Sequence, residues 1–180
     1  WAIDSGLIEP KDEVVTVIVD VPSGRLVTEA KVHNQKVESV CFQNVPSFVS
    51  ATNISLQTSV GQVNADISFG GAFYASVNAG KLGLSPTASN IDALISLGRE
   101  IKDQLKNNQS AVHPDDDRLS GVYGTIFYEE IGANPLHQRN MTVFADGQVD
   151  RSPCGSGTSA RLALLHKAGR VSVGESFYNE

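Results

Sequence analysis

Short apolar runs broken by polar turns dominate the first quarter of the chain, and this pattern is typical of β-strands. Three such runs cover residues 14–21, 26–32 and 37–42. A Pro-Ser-Gly turn at 22–24 joins the first two runs, and a polar turn at 33–35 joins the second to the third. The pattern therefore predicts a meander of three strands.

The rest of the chain combines further strand candidates with one clear helix. Apolar runs at 60–69 and 72–77 are joined by two glycines, which mark a bend or a close approach of backbones. Residues 89–105 carry apolar side chains at helical spacing, which predicts a helix whose apolar stripe faces a core. Two later runs, at 122–128 and 141–145, are again strand candidates.

A polar stretch at residues 50–53 separates the two groups of strands. It follows a break that contains a proline, and such a stretch favours a boundary between two lobes. We therefore expect one lobe over residues 1–50 and another over residues 51–180.

Composition and charge limit the classes of molecule that the protein is expected to bind. The 180 residues are 41% hydrophobic and 19% charged, a balance that fits a packed globular fold and excludes a disordered chain. Acidic residues outnumber basic ones by 20 to 14, so the net charge is −6, which disfavours nucleic acid and anionic membranes as partners. We expect a small-molecule partner. Association into a homodimer is left open.

The two cysteines, Cys41 and Cys154, are too few for the disulfide framework of a small secreted domain. No apolar run reaches the roughly 20 residues that span a bilayer, and no secretory signal opens the chain. These features predict a cytoplasmic location. Residues 1–8 are typical of the end of a helix that stops at Gly6, and the first residue is Trp1, so we expect a piece of a longer protein.

The segment at residues 150–169 carries the most informative chemistry. A strand end runs there into a Gly-rich turn and then into a short helix, which Thr158 or Ser159 can cap. The helix would begin just beyond Cys154, so the unpaired amides of residues 155–158 would point at that thiol. Such amides hold a carboxylate and favour a thiolate over a thiol. We therefore expect Cys154 to be reactive.

Cys41 has none of these features. It lies in an apolar strand without a glycine turn, a helix start or a neighbouring base, which predicts a buried structural cysteine.

Cys154 is instead flanked by Pro153 and Gly155, and Asp150 is near enough in sequence to line the same pocket. An acidic side chain beside an anion-binding loop suits a zwitterion, with ammonium on Asp150 and carboxylate on the amides. This points to an amino acid.

Metal ions and nucleotide cofactors have no support in the sequence. The histidines are scattered, without metal-ligand spacing to one another or to a cysteine. Neither a phosphate loop with Lys nor a dinucleotide fingerprint occurs. A hydrolase that uses a Cys nucleophile and a His base is a second reading, although nothing in the sequence singles out the base.

The same segment resembles a known family. The run Asp-Arg-Ser-Pro-Cys-Gly-Ser-Gly-Thr-Ser-Ala-Arg at residues 150–161 closely resembles the second catalytic motif of the proline racemase family, which includes hydroxyproline 2-epimerases and trans-3-hydroxyproline dehydratases. The likeness covers nearly the whole chain, through stretches at 44–48, 70–75, 112–114 and 143–149.

The resemblance implies an α/β (α+β) fold of the diaminopimelate epimerase type, in which a mixed or antiparallel sheet wraps around a central helix. Residues 51–180 would be the lobe with the second motif, and residues 1–50 the remainder of a similar lobe. The active site would lie in the groove between lobes.

The resemblance also implies a cofactor-independent isomerase. In the racemases one cysteine thiolate removes the Cα proton of an amino acid, and a cysteine thiol on the opposite face returns one. Cys154 matches the second of these bases. Asp150 matches the residue that holds the substrate amine, and Gly155 and Ser156 match the backbone positions that hold its carboxylate.

The chain departs from the family in one large respect, because the first catalytic motif, Met-Cys-Gly-His in most members, is absent. Cys41 matches nothing in that motif. The resemblance therefore implies a piece of an enzyme that has little or no racemase activity by itself.

The subtype has three readings. Stretches at 123–126 and 144–150 look like the trans-3-hydroxyproline dehydratase branch, yet typical dehydratases carry Thr where this chain has Cys154. The cysteine favours two-base racemisation or epimerisation of proline or hydroxyproline, with dehydration of trans-3-hydroxy-L-proline as the alternative. A lobe that binds an amino acid without chemistry is the third reading.

Overall fold

The computed structural model describes residues 1–150 and 152–180. They form two compact units, Trp1–Val45 and Pro46–Glu180. The division falls before the polar stretch at 50–53, which lies inside a strand of the larger unit. The assignment of residues 1–50 and 51–180 to two lobes of a longer protein stays a prediction.

The smaller unit is the expected antiparallel meander. Its strands are β1 (Val14–Val21), β2 (Gly24–His33) and β3 (Lys36–Phe42). One face buries Ala30 and Val32 of β2 against Ile3. The N–H of Ser5 donates to the Trp1 carbonyl at 2.8 Å, and Gly6 has a φ of 77°. Residues 1–6 therefore form a hydrogen-bonded turn, and the expectation that they end a longer helix stays a prediction.

The larger unit is built on a seven-stranded mixed sheet in the order β10-β8-β7-β6-β5-β4, with β9 paired to β8. Its strands are β4 (Phe48–Thr58), β5 (Gly61–Phe69), β6 (Phe73–Asn78), β7 (Val122–Ala133), β8 (Leu136–Phe144), β9 (Gln148–Val149) and β10 (Phe177–Asn179). The pairs β6·β7 and β8·β10 are parallel, and the others are antiparallel. Strand β4 was not expected. Its register shifts between Ala51 and Ile54, which interrupts the alternation that marks a strand.

Helix α1 (Ile91–Gln104) is the helix predicted from the apolar stripe, preceded by a short 3-10 turn, Ala88–Asn90. The sheet curves around it, because α1 contacts β4 near one edge and β7 and β8 towards the other. Leu94, Leu97 and Ile101 are buried in this core. None of the helices over the described ranges has the length and apolar character that crossing a membrane requires.

Helix α2 (Gly155–Lys167) lies on the opposite face of the sheet. On β7 the Thr125 hydroxyl donates to the Gly98 carbonyl of α1 at 3.2 Å, whereas the next side chain, Ile126, lies against Gly157 of α2. Successive strand residues point to opposite faces, so the two helices cover the sheet from both sides.

The N-terminal turn of α2 passes directly over Gly70, at the end of β5. A Cβ atom on Gly70 would lie 2.5 Å from the Ala160 nitrogen and 3.0 Å from Ser159 Cβ, and it would overlap the Ser156 carbonyl oxygen. Two of these three atoms belong to the backbone and cannot rotate away. Gly70 therefore permits a backbone approach that a side chain would prevent.

Arg161 fastens the middle of α2 to the sheet. It is buried, its guanidinium carbon lies 3.6 Å from the centroid of the Tyr128 ring, and its Nε donates to Gln138 Oε1 at 3.1 Å. Burial lowers the pKa of Arg161 from its ordinary value, while Tyr128, Asp66 and Glu130 act in the opposite direction. The stacked ring and the amide oxygen compensate the buried cation for its lost water.

We predict that Gly70→Ala lowers the free energy of unfolding of the larger unit by about 2 kcal/mol, because overpacking must displace the helix backbone. Urea denaturation followed by circular dichroism measures this value. Gly155→Ala is the matched control, since a Cβ there would have no atom within 4 Å. A Gly70→Ala variant as stable as the control would contradict the close approach.

We also predict that Gln138→Leu costs about 3 kcal/mol, because it leaves a buried guanidinium N–H without an acceptor. The double variant Gln138→Leu/Arg161→Met should recover most of that loss, since the acceptor and the cation then disappear together. Gln62→Leu, at an exposed position, is the control. Thermal melts of Gln138→Leu, Arg161→Met, the double variant and the control test the coupling, and losses that add in the double variant would refute it.

Candidate active site

Cys154 lies at the N-terminus of α2. Its φ of −56° and ψ of 123° place it just outside the helix, which begins at Gly155. The N–H of Thr158 donates to the Cys154 carbonyl at 2.7 Å, which is the first bond within the helix. The amides of residues 155–157 come before that bond and have no partner within the helix.

The expectation that Thr158 or Ser159 caps the helix is wrong, and so is the expectation that the Thr158 amide is unpaired. Thr158 Oγ1 instead accepts from Asn179 Nδ2 of β10 at 2.8 Å, and Ser159 Oγ donates to the Gly155 carbonyl at 3.2 Å. The helix begins at Gly155, where Gly70 leaves room for the backbone of its first turn. The open end of the helix therefore lies directly beside the thiol.

Two hydroxyl groups surround the half-buried sulfur of Cys154. The Tyr74 hydroxyl lies 3.5 Å from Cys154 Sγ and 2.7 Å from Ser156 Oγ, and Ser156 Oγ lies 3.7 Å from the sulfur. Burial raises the pKa of Tyr74 well above its ordinary value, and the hydrogen bond to Cys154 raises it further. Tyr74 therefore keeps its proton over the pH range in which a thiol ionises.

Asp150 lies between β9 and α2. Its N–H donates to the Thr142 carbonyl at 3.0 Å, and its Oδ1 accepts from the N–H and the hydroxyl of Ser152, both at 3.2 Å. The carboxylate is thus held by the turn that leads to Cys154. Arg151, in the same motif, lies outside the described residues.

Gly155 leaves the end of the helix open, since a Cβ there would meet nothing within 4 Å. A carboxylate can therefore reach the first amides of α2 from this side. The roles expected of Asp150, Gly155 and Ser156 in binding an amino acid stay predictions at this point.

An aromatic group that the sequence pattern does not predict borders the thiol. The Tyr74 and Tyr123 rings meet edge to face with centroids 5.8 Å apart, and Tyr123 stacks on Phe144 at 5.7 Å. Tyr123 is 46% exposed, so the group offers an apolar surface near the sulfur. Tyr74 was also missed, and its position three residues after the paired glycines Gly70 and Gly71 gives at most a weak signal.

Cys41 is exposed, so the expectation that it is buried is wrong. It pairs across β2 and β3 with Glu29, which is also exposed. A three-stranded sheet covered on one side buries only one of its faces, and Cys41 lies on the other face. The apolar run that suggested burial therefore belongs to a strand with an open side.

His113 and His166 of the larger unit make their contacts with residues other than Cys154. The His113 ring lies 4.8 Å from that of Phe69, and its Nδ1 accepts from the N–H groups of Asp115 and Asp116. His166 Nδ1 bonds the Val171 carbonyl at 3.1 Å. Over residues 1–150 and 152–180, no three His, Cys, Asp or Glu side chains gather closely enough to hold a metal ion.

Comparisons with known proteins bear on the whole chain. The family model described as Proline racemase matches residues 1–180. A trans-3-hydroxy-L-proline dehydratase of Bacillus thuringiensis subsp. konkukian (strain 97-27) is 40% identical over 178 residues, which are 99% of this chain and 53% of that protein. A proline racemase of Acetoanaerobium sticklandii is 36% identical over 181 residues, covering 99% of this chain and 54% of that protein.

A solved structure gives the same relationship. The crystal structure of a hydroxyproline epimerase from Agrobacterium vitis, with bound trans-4-OH-L-proline, matches with a TM-score of 0.88 at 36% identity, over 98% of this chain and 51% of that chain. The likeness confirms the expected diaminopimelate epimerase-like α+β fold. The chain spans about half the length of the curated relatives it matches. With a family model that covers every residue and a matching fold, this chain belongs to the proline racemase family.

Proposed function

We propose that this chain supplies one base of a cofactor-independent racemase or epimerase that acts on proline or hydroxyproline. The observation that carries the proposal is the position of Cys154 at the open N-terminus of α2. Backbone amides and the positive end of a helix dipole stabilise a thiolate at such a position. A thiolate beside an anion-binding helix end is an arrangement that suits removal of a proton next to a carboxylate.

The proposed pair of proton transfers needs no cofactor. On one face of the substrate a thiolate takes the Cα proton and becomes a thiol, while on the other face a thiol gives up its proton and becomes a thiolate. The electron pair of the C–H bond is delocalised into the substrate carboxylate until the new bond forms. The amides of Gly155 and Ser156 stabilise that charge, and Asp150 binds the ammonium group.

The second base is not assigned to a residue of this chain. Cys41 lies in the smaller unit and matches nothing in the first motif of the family. The relatives are about twice as long as this chain. We therefore propose that the 180-residue chain has little or no racemase activity by itself.

Dehydration of trans-3-hydroxy-L-proline is the second candidate. The relative that is 40% identical bears that name, and a racemase relative is 36% identical. In this reaction the Cα proton leaves, the 3-hydroxyl departs with a proton as water, and the resulting enamine becomes a cyclic imine. The cysteine at position 154 supports the racemase or epimerase, because the dehydratases that the motif resembles carry Thr there.

A cytoplasmic location is part of the proposal. Both cysteines are free, and a reducing compartment keeps an exposed thiol and a reactive thiol in that state.

Incubation in deuterated water distinguishes the activities. The protein expressed from the complete reading frame that contains this chain is mixed with L-proline, trans-4-hydroxy-L-proline and trans-3-hydroxy-L-proline. We expect deuterium at Cα together with inversion, measured by NMR and chiral chromatography. Formation of a cyclic imine from the 3-hydroxy substrate would establish the dehydratase instead. Binding without exchange or dehydration would contradict both reactions.

Two cysteine variants serve as a matched pair in that experiment. Cys154→Ser should lower the rate of Cα exchange by at least about 100-fold, because a serine hydroxyl is a far weaker base than a thiolate. Cys41→Ser should leave the rate unchanged. Full exchange in Cys154→Ser would refute the assignment of the base.

A further inference from the structure

Tyr74 and Ser156 enclose the sulfur of Cys154 in a closed group of three side chains. Tyr74 comes from β6 and the other two from the start of α2. The links measure 3.5 Å from the Tyr74 hydroxyl to the sulfur, 2.7 Å from that hydroxyl to Ser156 Oγ, and 3.7 Å from Ser156 Oγ to the sulfur. The sheet thus contributes a polar group to a thiol that belongs to the helix.

The Tyr74 side chain has little freedom to move. It is 1% exposed and packs in a cluster with Ile126 and Ala160, with Cys154 against the same cluster. The Tyr123 ring meets it edge to face. A hydroxyl on a ring held in this way has a fixed position, so its hydrogen bond loses little entropy on forming.

The protonation state of the Cys154 sulfur decides which group donates each of these hydrogen bonds. A thiolate can only accept, so the Tyr74 hydroxyl donates to the sulfur, and Ser156 donates to the Tyr74 oxygen. When the sulfur becomes a thiol, its S–H can donate to the Tyr74 oxygen, and the Tyr74 hydroxyl then donates to Ser156. Rotation of two hydroxyls therefore satisfies both protonation states of the sulfur without movement of any heavy atom.

We propose that Tyr74, supported by Ser156, is a positioning residue that holds Cys154 and stabilises its thiolate. The inference rests on the proposed function, in which Cys154 must exchange a proton in each turnover. Persistent burial keeps Tyr74 protonated, since the pKa of its hydroxyl lies well above the ordinary value. The tyrosine thus remains a donor and does not compete as a base.

A role in packing alone predicts a different behaviour. Removal of the hydroxyl would then change thermal stability and leave the reactivity of the sulfur unaltered at every pH. A role in stabilising the thiolate predicts that reactivity falls at neutral pH and recovers at high pH, where the thiolate forms without help. The pH profile of alkylation therefore separates the two roles.

The test measures alkylation of the 180-residue chain by iodoacetamide between pH 5 and 10, with each cysteine followed separately by peptide mass spectrometry. Tyr74→Phe removes the hydroxyl and keeps the ring. We expect Cys154 in this variant to react about tenfold more slowly at pH 7, with its profile displaced to higher pH, as for loss of a hydrogen bond to a charged group. Ser156→Ala should give a smaller displacement in the same direction.

Two controls come from the chain itself. Cys41, which is exposed in the smaller unit, should react at the same rate in every variant and so reports on the reagent. Tyr178→Phe removes the hydroxyl of a 56% exposed tyrosine on β10 and should leave the Cys154 profile unchanged. Circular dichroism spectra and melting curves show whether each variant is folded. If Tyr74→Phe does not fold, Ser156→Ala decides the test.

The proposal is overturned if the pH profile of Cys154 alkylation in folded Tyr74→Phe superposes on that of the unsubstituted chain. Faster alkylation at every pH also overturns it, because the hydroxyl would then only block access. This assay needs no substrate, so it is independent of the proposed function. Absence of Cα exchange would refute the proposed function and leave the alkylation profile standing, whereas an unchanged profile with normal exchange would refute only the role of Tyr74.

Discussion

The contact between the first turn of α2 and the backbone at Gly70 is the constraint on which the candidate site depends. The helix can start where it does because no side chain stands between Gly70 and the Ser156 carbonyl. That approach brings Cys154 within reach of Tyr74, on the strand that follows Gly70. Arg161, five residues after Ser156, stacks on Tyr128 and gives the helix a second contact with the sheet. The position of the thiol thus depends on backbone packing at Gly70 and on the buried Arg161 side chain.

The two faces of the large sheet carry different kinds of buried side chain. The face towards α1 is mostly apolar, with the buried Thr125 hydroxyl bonded to the Gly98 carbonyl of that helix. The face towards α2 carries Tyr74, and beside it the buried hydroxyls of Ser68, Ser76 and Thr142, which have no hydrogen-bond partner among the described residues. Buried polar groups of this kind cost stability.

Much of this arrangement could be predicted from the sequence, because it is encoded locally. The meander, helix α1 and the turn that leads to Cys154 all follow from periodicity and from glycine and proline positions. Strand β4 could not be predicted, because a bulge with Asn53 at a φ of 58° interrupts its alternation. Tyr74 could not be predicted either, since its role arises from residues 80 positions apart in the chain. The exposure of Cys41 depends on which face of a small sheet is covered, and local sequence does not report that.

An amino acid of the proline class that binds against the start of α2, as proposed, covers Cys154. The most direct measurement is protection of the two cysteines from alkylation, in the protein expressed from the complete reading frame. Proline or a hydroxyproline should slow alkylation of Cys154 in a saturable way and leave Cys41 unaffected, while an amino acid amide, which lacks the carboxylate, should protect neither. Equal rates at Cys154 with and without these amino acids would contradict the account.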